Sequence, residues 1–169
     1  MRNLPILLLA LSMALAGCAT TYQKEGLTGG FSETQLGENI WKVHFRGNGY
    51  TRGERAGDLA MLRCAELTLN NGYSYFALAD SQAGNNVSAY KDPTYSYTTG
   101  SATANGNTAY GYANTTTYGG NLHFINKPSA TNIVVMFKDK KEVQGFTFDA
   151  QFICNSIGSK YEVTCGGSH

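Results

Sequence analysis

Four cysteines, three histidines and a cluster of tyrosines are the side chains of this 169-residue chain with the most chemistry to offer. Leaving Cys18 with the N-terminal run it closes, Cys64, Cys154 and Cys165 remain, an odd number of thiols. Cys154 and Cys165 are the easiest disulfide pair, closing a loop over the last helix and the tail. Cys64 then reads as a buried free thiol, since no C-x-x-C accompanies it and Arg63 alone is weak activation. His44, His123 and His169 are far apart and lack the clustered spacing a metal ion needs, so no metal and no cofactor is expected. The chain contains no G-x-S-x-G, H-E-x-x-H, P-loop or dinucleotide fingerprint, and its scattered carboxylates nominate no acid–base pair. Gly47-Asn48-Gly49 resembles a phosphate-cradling turn, but without a following Lys-Ser/Thr it reads as a strand-to-helix turn. Arg46 and Glu66 read as a local ion pair between strand and helix, with a surface ligand contact as the alternative. The expectation is a protein that is not an enzyme.

Tyrosine is concentrated where charge is absent. Of 11 tyrosines, Tyr90, Tyr95, Tyr97, Tyr110, Tyr112 and Tyr118 lie between residues 85 and 121, where Lys91 and Asp92 are the only charged residues. Tyr95/Tyr97 and Tyr110/Tyr112 alternate with period 2 on either side of Asn105-Gly106, a strong hairpin-turn dipeptide. A long, partly ordered hairpin is expected, inserted in an otherwise ordinary domain. Tyrosine offers a flat apolar face and a polar tip, which suits stacking on sugars or peptides through Tyr95, Tyr97, Tyr110 and Tyr112. A flat, uncharged strand is also an edge on which another strand can pair.

The N-terminus carries an address. Met1-Arg2-Asn3 is a short positive region and Leu4–Ala14 an apolar one, too short for a lasting span of a ~30 Å bilayer core. Leu15-Ala16-Gly17-Cys18 follows and matches a bacterial lipobox. Small residues at Ala16 and Gly17 fit a protease cleft, and the Cys18 thiol can form a thioether to diacylglycerol. Cleavage between Gly17 and Cys18 leaves a mature chain of 152 residues, Cys18–His169. Two or more acyl chains anchor stably where one does not. Ala19 is not the Asp that retains such proteins in the inner membrane, so the outer membrane, periplasmic face, is expected.

These residues need elements to position them. Residues 18–30, polar and rich in glycine, read as a lipidated tether to a single domain over 31–169, with the low-complexity insert at 85–121. Alternation from Trp41 to Arg46 predicts a half-buried strand. Thr51-Arg52-Gly53-Glu54 reads as a capping box opening a helix over Arg52–Leu69, with Ala56, Leu59, Ala60, Arg63 and Leu67 on one face and i,i+3 pairs Arg55/Asp58 and Arg63/Glu66. Asn70-Asn71-Gly72 ends it, and Tyr73–Leu78 reads as a second strand, completing a β-α-β unit. Asn132–Phe137 has the β-branched run of a central strand, and Asp149 is an N-cap for a helix over Ala150–Ile157 ended by Gly158. The fold class is α+β: a small sheet with a β-α-β unit, the Tyr/Thr/Gly insert, a further central strand and a C-terminal helix.

Charge narrows the function classes. Charged residues are 15% of the chain and the formal net charge is +1, contributed by Arg2 in the leader. A polytopic membrane protein, a charge-driven nucleic-acid binder and a wholly disordered charged tail are excluded. The blocks Phe45-Arg46-Gly47-Asn48-Gly49-Tyr50-Thr51, Leu62-Arg63-Cys64-Ala65-Glu66-Leu67-Thr68-Leu69 and Gly72-Tyr73-Ser74-Tyr75-Phe76, with the lipobox and Phe148-Asp149-Ala150, resemble a family of small lipoproteins of Gram-negative bacteria. The resemblance implies a small α+β domain in the envelope and supplies no catalytic residues. The function expected is a lipid-anchored periplasmic protein with a non-catalytic structural or binding role. The alternative is an envelope-binding module whose Tyr-rich insert recognises glycan or a partner protein. The expected partners are the membrane, through the lipid, and an envelope protein or peptidoglycan, with no nucleic acid.

Overall fold

The computed structural model describes residues 19–143 and 145–166. These form two compact units: Val87–Ile125 is one, and the described residues on either side of it are the other. The larger unit is an α+β layer built on a five-stranded sheet of order β1-β2-β6-β3-β7. Its strands are β1 Gly30–Gly37, β2 Ile40–Arg46, β3 Tyr75–Lys91, β6 Leu122–Phe137 and β7 Phe148–Asp149, of which β3 and β6 continue into the smaller unit. Helix α1 spans Gly53–Asn70 and helix α2 Ala150–Tyr161, with a 3-10 turn at Lys140–Glu142 between β6 and β7.

Alternation sets the sheet. In β2 Val43 and Phe45 are buried while Lys42 is exposed, the period-2 pattern that Trp41–Arg46 carries in sequence. Register places Phe31 of β1 and Ala130 of β6 on either side of Phe45, and Glu33 and Asn132 on either side of Val43. That face, with Phe76, Val134 and Met136, is covered by Ala56, Leu59, Ala60, Cys64 and Ala65 of α1. Full burial of Phe31, Phe45 and Phe76 contributes about 1.5–3 kcal/mol each. The central strand expected at Asn132–Phe137 is β6, the middle of the five.

The β-α-β unit takes a split form. Contacts Ser74 N to Phe137 O (3.0 Å) and Ser81 Oγ to Asn132 Oδ1 (2.8 Å) run β3 antiparallel to β6, and β2 is antiparallel to β6 on its other side. Strands β2 and β3 are therefore parallel, with β6 inserted between them. Strand β1 carried little sequence signal, because Phe31 is the one large apolar side chain it buries.

Three local expectations are corrected. The capping box at Thr51 and Glu54 does not form: Arg52 is the N-cap without a side-chain cap, Thr51 turns to Thr20 and Asn48, and Glu54 meets Lys160 at 2.5 Å. The Arg55/Asp58 pair is replaced, since Asp58 accepts from Lys160 Nζ and Tyr161 Oη, both at 2.8 Å, and Arg55 lies 4.7 Å over the Tyr161 ring. Gly158 does not end α2. It is buried within it, and a Cβ there would stand 2.6 Å from Val163 O, so glycine admits the tail's close return. Glu162 in the left-handed region closes the helix instead, while Asp149 caps its start by accepting from Phe152 N at 2.9 Å.

The largest correction concerns residues 19–30. Far from a free tether, Thr20 is 1% and Tyr22 6% exposed, and Tyr22 packs 4.9 Å from the Phe31 ring. Gly29 and Gly30 permit this return. Both have positive φ, and a Cβ would stand 2.2 Å from Arg46 O at the first and 2.4 Å from Gln23 O at the second. A glycine pair that reads as flexibility in sequence is a tight backbone crossing in the fold.

Candidate functional site

The smaller unit is a two-stranded antiparallel ribbon, β4 Thr94–Asn105 and β5 Thr108–Gly119. At ~3.4 Å per residue, twelve residues make it about 40 Å long. The turn lies one residue beyond the Asn-Gly dipeptide: Asn105 pairs with Thr108, leaving Gly106 and Asn107 as the two central residues. Gly106 has φ +60 and Asn107 a negative φ, the form in which only the first central residue needs glycine. At the base Asp92 N donates to Asn121 O (2.9 Å), and His123 Nε2 lies 2.8 Å from Asp92 Oδ2, with Tyr90 tilted against the imidazole at 6.4 Å.

Register sorts the side chains. Tyr95 opposes Tyr118, Tyr97 opposes Thr116, Ser101 opposes Tyr112 and Thr103 opposes Tyr110. Because side chains alternate along each strand, these five tyrosines share one face. They are 64–74% exposed. The four nominated from sequence are thus brought together, and Tyr118 joins them. Its signal was present: it stands at an even spacing from Tyr110 and Tyr112. The opposite face holds a Ser96–Thr117 contact of 3.1 Å, a Thr98–Thr115 contact of 2.9 Å, and then Gly100, Ala102, Gly111 and Ala113, none larger than a methyl group. No residue of either strand is charged and neither contains proline. Each is hydrogen-bonded on one side only, leaving an outer edge open.

This arrangement can hold a flat ligand without charge. Tyrosine rings give apolar stacking area with few rotatable bonds, and the interspersed Thr, Ser and Asn side chains supply donors and acceptors. It presents no nucleophile beside a base. Among the described residues no three His, Cys, Asp or Glu side chains gather into a group that could hold a metal ion. No helix among them is long and apolar enough to cross a membrane.

The remaining candidates are structural in their contacts. Gly17 and Cys18 lie outside the described residues. Cys154 and Cys165 are joined in a disulfide. Cys64 is a buried free thiol, with Asn132 Nδ2 directed at its sulfur from 3.8 Å, and burial pushes the thiol from 9.0 up to about 12. Such a thiol is inert at neutral pH. His44 is half-buried against Thr131 Oγ1 at 2.8 Å.

Arg46 and Glu66 do not pair with each other. Arg46 binds Glu25 (2.8 Å) and Gly26 O (2.7 Å). Glu66 is 1% exposed and accepts from Tyr22 Oη (2.6 Å), Gly166 N (2.7 Å) and the Arg63 guanidinium, which also holds Glu33 at 2.8 Å and stacks 4.2 Å over Phe31. Sequence reasoning missed Tyr22 and Glu33 here, because nothing local links residues so far apart. Burial, then the hydrogen bond and charge of Glu66, push the Tyr22 phenol well above its ordinary value. Burial opposes the charge on Arg63, yet its bonds to Glu33 and Glu66 prevail and raise it.

The raised Tyr22 and Cys64 groups fix a sign. Each binds its proton more tightly folded than unfolded, so its contribution is complete below the unfolded value, 10.0 for Tyr22 and 9.0 for Cys64, and is lost as pH rises above it. The urea midpoint is therefore expected to fall from about pH 9 upward, and to fall less steeply in Tyr22→Phe and Cys64→Ala. Equal slopes in wild type and both variants would show that these groups do not govern it.

Comparison of the chain with family models, with curated proteins and with solved structures finds no match.

Proposed function

We propose that this protein is a lipid-anchored, non-catalytic binding module of the bacterial envelope, held at the periplasmic face of the outer membrane through Cys18, whose Tyr-faced ribbon recognises envelope glycan. The observation that carries this reading is the convergence of Tyr95, Tyr97, Tyr110, Tyr112 and Tyr118 on one exposed, uncharged face. Sugar rings offer C–H faces to aromatic rings and hydroxyls to neighbouring polar side chains, and peptidoglycan is the glycan an anchored periplasmic domain meets. Deleting Asn85–Asn121 is expected to abolish co-sedimentation with isolated peptidoglycan sacculi while the remaining unit keeps its cooperative unfolding. Retained sedimentation would place recognition elsewhere.

The open outer edges of β4 and β5 favour a second reading, strand pairing with a partner protein or another copy. It predicts association that depends on backbone pairing and survives loss of the tyrosine rings.

The anchor has its own test. Labelled palmitate is expected to enter the wild-type chain and not Cys18→Ser, which moves to the soluble periplasmic fraction. A Cys18→Ser chain that stays labelled and membrane-bound removes the anchoring reading.

A further inference from the structure

The start of the described chain is tied down, and this bears on how an anchored domain meets its membrane. Thr20 N donates to Thr51 Oγ1 at 3.0 Å, Thr20 Oγ1 donates to Thr28 O at 2.9 Å, and Asn48 N donates to Thr20 Oγ1 at 2.9 Å. The described chain begins at Ala19, the residue before the buried Thr20, so no free linker is present between that start and the folded domain. A flexible tether of a dozen residues would have allowed on the order of 20 Å. Residues 19–30 provide no such slack, since Thr20 and Tyr22 are buried.

Thr20 also ties two turns to the start of the described chain. Through Thr28 it holds the turn 26–29, on which Leu27 is 105% exposed, and through Asn48 and Thr51 it holds the turn 47–51, on which Tyr50 is 75% exposed. Ala19, Tyr50, Arg52, Glu54, Arg55 and Tyr161 line a common cleft there. Lys160, in the same cleft, is engaged by Glu54 and Asp58.

We propose that this surface, Leu27, Tyr50, Arg52 and Arg55 around Ala19, is a docking face for the bilayer itself, occupied by anionic phospholipid headgroups. The inference rests on lipidation of Cys18. Leu27 enters the boundary of the acyl region, and Tyr50 takes the interfacial position that suits an apolar ring with a polar tip. The guanidinium groups of Arg52 and Arg55 meet phosphate oxygens in forked hydrogen bonds. A membrane so held fixes the larger unit's orientation.

The test uses the full lipidated chain, reconstituted in vesicles of phosphatidylethanolamine and phosphatidylglycerol carrying nitroxide-labelled headgroups. Single exposed positions receive an environment-sensitive fluorophore through Leu27→Cys, Tyr50→Cys or Asn70→Cys; native Cys64 is buried and Cys154–Cys165 is a disulfide, so the new thiol is the one that reacts. Asn70 ends α1, about 25 Å along the helix from Gly53 at ~1.5 Å per residue. Quenching is expected to be several-fold stronger at 27 and 50 than at 70. Equal quenching at the three positions, in protein that sediments with the vesicles, overturns the docking face and leaves the anchor standing. Failure of the protein to sediment, or sedimentation of Cys18→Ser equal to wild type, overturns the anchor and the docking face together.

Discussion

Glu66→Ala is expected to lower stability by about 3 kcal/mol, the low end of the range for breaking a buried ion pair by removing one partner. Glu66 is 1% exposed and accepts from Tyr22 Oη, Gly166 N and Arg63 at once. Removing it leaves a buried phenol and a backbone N–H without that acceptor. Arg63 keeps Glu33 at 2.8 Å, so its charge stays compensated, which holds the cost below the upper end of ~5 kcal/mol. Glu66→Gln retains an acceptor oxygen and is expected to cost roughly half as much. Urea unfolding at pH 7 checks both. With a slope of ~1–3 kcal/mol per molar, the Ala variant moves the midpoint down by about 1–3 M. A shift below about 0.3 M would mean that the network contributes little net stability. Glu66 joins the N-terminal segment to the C-terminal tail across α1, so the same variant should admit a protease to both ends of the chain.

Replacing Tyr95, Tyr97, Tyr110 and Tyr112 together by Ser is expected to weaken binding to peptidoglycan by about 30-fold to 1,000-fold. Aromatic contacts of this kind are worth ~0.5–1.5 kcal/mol each beyond area burial; at about 0.5–1 kcal/mol for each of four exposed rings, the loss of about 2–4 kcal/mol converts to that range. The thermal midpoint of the larger unit should stay put, because its core contains none of the four. Thr98→Ala with Thr115→Ala alters the opposite face and should leave binding unchanged. If the four-Tyr variant binds as wild type while the Thr pair abolishes binding, the working face is the other one. If self-association persists through both, the open strand edges are responsible.

Much of the larger unit was legible. Trp41–Arg46, the helical stripe through Leu59 and Ala60, and the β-branched Ile133-Val134-Val135 each bury one side of a regular element, and one-sided burial leaves a period that a local window detects. Strand β1 buries too few apolar residues to leave such a period. The capping box failed for a different reason: Thr51 had a better use in binding Thr20, 31 residues away, and tertiary contact overrode the local motif.

Within the ribbon the division is sharper. Composition and the doublets on either side of Asn105-Gly106 determined that a long, uncharged, tyrosine-bearing hairpin stands there. Whether its tyrosines share a face depended on one integer. A two-residue turn sets odd positions of β4 opposite even positions of β5, which puts Tyr95 and Tyr97 on the face of Tyr110, Tyr112 and Tyr118. Slipping one strand by a single residue would turn its tyrosines to the other side. Likewise the letters of residues 19–30 read as a polar linker, and only folding showed Tyr22 buried on Glu66, 44 residues further on. The sequence determined the elements and their chemistry, since period and spacing are local properties. Register and the closure of distant segments over one another are not local, and the tertiary structure decided them.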